Sequence, residues 1–137
     1  MKKTLITTGL IIGSLFASAQ KMNTTGAVMA YQDFQENLHS GNFEKATKDI
    51  LEAKKLIDLA IVHESTKNDP KTIYYSFSVY REIIKLPQSV ELNFSTDTLI
   101  SVIMDDMDKL YLYDVKGKYV PTMESEVGTD CMMMSNT

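Results

Sequence analysis

Between Gly41 and Tyr80 the apolar residues recur with a helical period rather than a strand period. Phe43, Ala46, Ile50, Ala53, Ile57 and Ala60 follow one another at steps of three and four, which gathers them on one stripe of a helix. Glu44, Lys45, Lys48, Asp49, Glu52 and Lys55 fall on the opposite face. Glu44 stands four before Lys48, and Lys45 four before Asp49, so both pairs are placed to support the helix in water. Gly41-Asn42 is a turn signal ahead of this helix, which is expected to run to about Thr66.

The same reading extends in both directions. Ala27, Tyr31, Phe34 and Leu38 share one face of a helix expected over Met22–Leu38, with Thr24 or Thr25 as its cap and His39-Ser40-Gly41 as its end. Asn68-Asp69 before Pro70 is a cap followed by proline at the first helical position, so a third helix opens there. Its inward stripe is Ile73, Phe77, Tyr80 and Ile84, and Leu86-Pro87 closes it. Val90, Leu92 and Phe94 alternate in the connector from Gln88 to Thr96, which reads either as a short strand or as a loop leading to a cap at Ser95 or Asp97. Thr98 to Tyr113 is the fourth helix, with Leu99, Ile103, Met107, Leu110 and Tyr113 facing inward. Beyond Pro121 the period dissolves, so residues 121–137, with Met132-Met133-Met134, are expected to form a disordered tail.

Two segments carry a family resemblance. Gly41-Asn42-Phe43-Glu44-Lys45-Ala46 before a long helix, then Asp69-Pro70-Lys71-Thr72-Ile73-Tyr74-Tyr75 with Tyr80 beyond, resembles a tetratricopeptide repeat protein, most of all the exported ones of Bacteroidota-type bacteria. The resemblance implies helices A and B paired in each repeat, and a stacked surface that holds other proteins. Leu38 and Tyr80 then hold equivalent positions 42 residues apart, against a family period of 34. The eight extra residues fit about two added turns in helix B. The second repeat departs from the family: Phe77 stands where a small residue is usual, and Ile103 and Leu110 take the small helix-B positions. Asp114-Val115-Lys116-Gly117-Lys118-Tyr119 resembles the repeat-closing turn, with valine for the usual proline. The expected fold is therefore all-α, an antiparallel helix-pair solenoid of about two repeats over residues 20–120. Two repeats fall short of the three or so that such stacks need, which predicts marginal stability or self-association.

The first nineteen residues read as a targeting segment. Lys2 and Lys3 precede an apolar centre from Leu5 to Phe16, and Ala17-Ser18-Ala19 is a cleavage signal. The apolar run is shorter than the roughly 20 residues that span a bilayer. A cleaved signal peptide over 1–19 is expected, with a periplasmic or secreted product and no membrane span after cleavage. The 137 residues suit one small domain, and 23% charged and 44% hydrophobic residues form an ordinary globular balance. The net charge is -4, with 14 basic and 18 acidic side chains, and cleavage takes it to about -6 by removing two lysines. No basic block offers a footprint for nucleic acid. The single cysteine, Cys131, forms no internal bridge.

Candidate chemistry is sparse. His39 and His63 lack a paired metal spacing, and His63-Glu64 is not followed by the second histidine of a zinc protease. Asp105-Asp106-Met107-Asp108 lacks the glycine and glutamate of a calcium loop and reads as a hydrated helix face. No nucleophile elbow, phosphate loop or dinucleotide fingerprint occurs. Asp97-Thr98-Leu99 resembles a short O-glycosylation signal, and Asp97 as a helix cap explains it equally. Tyr74, Tyr75 and Tyr80 suit either a partner surface or the core.

The expected function is protein–protein interaction or scaffolding, with no catalytic residue, cofactor or metal. The resemblance implies docking of a peptide or partner helix on the helix-A face, through Met29, Asp33 and Asn37 from the first repeat and Tyr75, Ser76 and Val79 from the second. The alternatives are a periplasmic small-ligand-binding module and a truncated, non-functional repeat fragment.

Overall fold

The computed structural model describes the backbone of residues 2–86 and 94–135 and the side chains of residues 21–86 and 94–131. Among the described residues every regular element is a helix: α1 Lys2–His39, α2 Phe43–Ile61, α3 Pro70–Lys85, α4 Thr96–Tyr113 and α5 Val120–Ser135. Packing divides the chain into two compact units, Met1–Lys67 and Asn68–Thr137. No described helix is long and apolar enough to cross a membrane.

The first unit is the α1–α2 pair. Gly41 takes φ +77, a left-handed turn that other residues adopt at a cost, and reverses the chain between the helices. Asn42 caps α2 by accepting from the Lys45 amide at 3.3 Å. Asn37 reaches Asp49 at 2.7 Å, and Leu56 lies closest to Gly26, so the helices run antiparallel. Ala46, Ile50, Ala53, Ile57 and Ala60 are buried on α2, against Ala27, Val28, Tyr31 and Phe34 on α1. Phe43 and Leu38 depart from their expected stripes: they flank the turn, past the packed stretch, and are exposed. Of the two expected ion pairs on α2, Glu44–Lys48 forms at 2.7 Å, whereas Asp49 turns to Asn37.

Both ends of this unit differ from expectation. Thr24 and Thr25 lie inside α1, not at a cap, and Thr25 donates back to the Lys21 carbonyl. α2 ends at Ile61, short of the end expected at about Thr66. The buried Thr66 hydroxyl donates to the Ala60 carbonyl at 2.6 Å, and His63 Nδ1 accepts from the Ser65 amide. These side chains satisfy groups that another turn of helix would have used.

The second unit holds α3, α4 and α5. Asp69 caps α3 through the Thr72 amide and hydroxyl, and Pro70 takes the first helical position, as the sequence implies. Ser95 caps α4; the alternation of Val90 and Leu92 before it lies outside the described residues. Phe77, the residue that departs from the repeat pattern, is fully buried in a cluster with Ile73, Leu110 and Met123. Ile83 rather than Ile84 completes the buried side of α3. Ile103, Met107 and Tyr113 are half-buried against the same cluster.

Residues 121–137, expected to be disordered, largely belong to α5. Its start is built by Asp114, whose carboxylate accepts from the amides of Lys118, Tyr119 and Val120 at 3.1, 2.6 and 2.9 Å. Gly117, at φ +62, turns the chain so that one side chain reaches all three. Burial opposes the charge on Asp114, but the three donors outweigh it and hold the carboxyl below its ordinary pKa.

Candidate functional site

Tyr74, Ser78, Arg81 and Lys85 recur at steps of three and four along one face of α3. Glu126 and Asp130 stand four apart on α5 and meet that face. Tyr74 donates to Glu126 at 2.9 Å, and Arg81 takes Asp130 through two nitrogens, at 2.6 and 3.2 Å. Arg81 also reaches Glu126 at 3.0 Å, and Lys85 reaches Asp130 at 3.0 Å. The pairing advances with residue number on both helices, so α5 runs in the same direction as α3. Burial pulls the Arg81 pKa down, but Asp130, Glu126 and Glu82 together raise it; burial and then Glu126 push the Tyr74 phenol up to about 12. This bidentate, half-buried network fixes α5 upon α3. It contains opposed charges in mutual contact and no poised nucleophile.

The acidic run on α4 splits. Asp105 is exposed and ion-paired with Lys109, and Asp108 is exposed, as a hydrated face requires. Asp106 is 3% exposed and faces the fully buried Ser76 on α3. The Ser76 hydroxyl favours the charged carboxylate, yet Ser76 Oγ and Asp106 Oδ2 are both buried without a hydrogen-bond partner. Burial pushes the Asp106 carboxyl up to about 7, against the smaller opposing influences of Ser76 and Lys109. Asp106 stands seven after Leu99, three after Ile103 and four before Leu110, and this spacing assigns it to the inner side of α4.

The outer side of α4 is apolar where a surface helix is normally polar. Ile100 and Met104, four apart, are 46% and 54% exposed; Leu112, 66% exposed, lies off their line, with the exposed Asp108 on the turn between. Tyr111 lies beside them, its hydroxyl donating to Glu124 at 2.9 Å. Acidic residues rim the stripe: Asp97, Asp105 and Asp108 are exposed, and the one lysine among them, Lys109, is engaged by Asp105.

The six residues expected to form a groove divide between the units. In the first, Met29 and Asp33 are exposed, and Asn37 is half-buried in its hydrogen bond to Asp49. In the second, Tyr75 is half-buried, its ring edge-on to Tyr74, while Ser76 and Val79 are fully buried and present no surface. His63 is engaged with Ser65, Cys131 is exposed on α5, and no group of three potential metal ligands occurs among the described residues. Comparison with protein-family models, with curated proteins and with solved structures finds no match to the chain.

Proposed function

We propose that this chain is an exported, non-catalytic interaction module of tetratricopeptide type that docks a helix of a partner protein. Support for export is the sequence of Lys2-Lys3, the apolar run to Phe16 and Ala17-Ser18-Ala19. Support for the repeat reading is the pair of motifs around Gly41 and Pro70, each opening a capped helix.

The observation that carries the docking function is the exposed stripe of Ile100, Met104 and Tyr111 on α4. Exposed apolar side chains that keep helical spacing match the apolar stripe of a second helix. The charge around them selects the partner. Residues 68–137 hold eleven acidic and six basic side chains, and Asp97, Asp105 and Asp108 flank the stripe. The occupant is therefore an amphipathic helix with basic flanks, steered by the acidic rim and held by apolar burial.

The test is affinity capture from the periplasm with the tagged mature chain. Ile100→Asp with Met104→Asp is expected to abolish capture of the partner that the parent retains, and rising salt is expected to slow its association. Loss of that partner with Asp33→Ala and Tyr75→Ala instead moves the docking face to the helix-A positions. Capture that survives both pairs of substitutions rejects the docking function.

A further inference from the structure

The acidic unit, residues 68–137, carries six basic side chains: Lys71, Arg81, Lys85, Lys109, Lys116 and Lys118. With eleven carboxylates available, ion pairing is the default, and Arg81, Lys85 and Lys109 follow it. Lys71, Lys116 and Lys118 make no ion pair among the described residues, and all three line one cleft of about 300 Å³ between the start of α3 and the α4–α5 turn. That volume lies at the lower end of small-molecule sites.

The two carboxylates in the cleft wall form no ion pair with the lysines, although Asp114 is close enough to feel the charge of Lys118. Asp69 is taken up by the Thr72 amide and hydroxyl, at 3.1 and 3.0 Å, and Asp114 by three amides of the turn into α5. Lys118 Nζ sits 5.1 Å from the centre of the Tyr119 ring, a cation–π contact that leaves its three donors available. Tyr113 and Tyr119 supply aromatic wall beside the charges. Both tyrosines and all three lysines belong to one unit, so the cleft needs nothing from the other.

We propose that this cleft binds a phosphate-bearing small molecule, its phosphate among Lys71, Lys116 and Lys118 and its organic part against Tyr113 and Tyr119. Ammonium groups are compact charges whose donors rotate, which suits a tetrahedral dianion; the flat carboxylate is matched better by the arginine fork, and the unit's one arginine is committed to Asp130. The site is independent of the outer face of α4.

The experiment titrates the full chain with phenyl phosphate by calorimetry, with inorganic phosphate and succinate in parallel arms. Saturable binding of phenyl phosphate is expected, weakened roughly tenfold or more by combined Lys71→Ala, Lys116→Ala and Lys118→Ala, because three charge-assisted contacts are lost. The charge-matched Lys45→Ala, Lys48→Ala and Lys55→Ala on α2 is expected to bind as the parent does. Circular dichroism confirms that both variants stay helical. Inorganic phosphate binding as well as phenyl phosphate supports the phosphate site and assigns its ligand to the free anion. Equal binding of succinate, equal weakening by both triple variants, or no saturable binding of either phosphate overturns the proposal.

Discussion

The α1–α2 pair and the α3–α5 unit solve the same packing problem with different materials. In the first, α2 alternates small and branched residues, Ala46, Ile50, Ala53, Ile57 and Ala60, and all five are buried. Its charged groups form local pairs on the water side, such as Glu44–Lys48 and Lys55–Glu52. In the second, one aromatic residue, Phe77, anchors the core, while a charged network ties α5 to α3 and a carboxyl lies buried on α4. The difference shows how two helix assemblies on one chain diverge in vulnerability. The first depends on volume and on one turn; the second also depends on the state of its ionisable groups.

The largest effect is expected from Phe77→Ala, which empties the centre of the second core and should cost about 3–5 kcal/mol. Hydrogen exchange should show α3, α4 and α5 losing protection together; protection lost in α3 alone would mean that the cluster does not unite the three helices.

Asp106→Asn sharpens the contrast further. The carboxyl titrates near 7 in the folded chain against an ordinary 3.8, so the folded state holds its proton more tightly. The stability it contributes is complete below the unfolded pKa and is lost as pH rises to about 7, by up to about 4 kcal/mol. The asparagine variant should therefore exceed the parent by about 2 kcal/mol or more at neutral pH, and the two should converge near pH 4. Asp130 works with the opposite sign: burial resists its charge, Arg81 and Lys85 lower its pKa nonetheless, and its contribution is lost as pH falls through that lowered value. Parallel denaturation curves across the pH range would show that Asp106 is not buried as described.

These two residues also mark where the sequence was legible and where it was not. Caps and turns are local, so Asn42, Asp69-Pro70 and Ser95 announce themselves in the sequence. The α2 stripe is legible because its period is regular; only Phe43, at the end of the packed stretch, escapes it. Asp106 was hidden by its neighbours, since Asp105 and Asp108 do face water and composition alone assigns all three alike. α5 was hidden because its apolar residues, Val120, Met123 and Val127, share their helix with acids that bind partners more than forty residues away. Pro121 near its start was the available signal, masked by a cap, Asp114, six residues ahead of Val120. The groove positions Ser76 and Val79 failed to reach the surface for a related reason: a repeat pattern assigns positions, and packing decides their exposure.

Gly41→Ala gives the smallest effect and probes the first unit alone. No atom lies within 4 Å of the added methyl group, so the whole penalty comes from φ +77, at about 1 kcal/mol. A loss several times larger would mean that the turn does more than reverse the chain.

The docking reading is tested most directly by placing a photocrosslinking residue at Met104 on the outer face of α4, and the same residue at Lys55 on the exposed face of α2. Irradiation in cells is expected to link one partner protein through position 104 and none through position 55, with the link suppressed by Ile100→Asp. Equal linking from both positions, or none from position 104, would contradict the account.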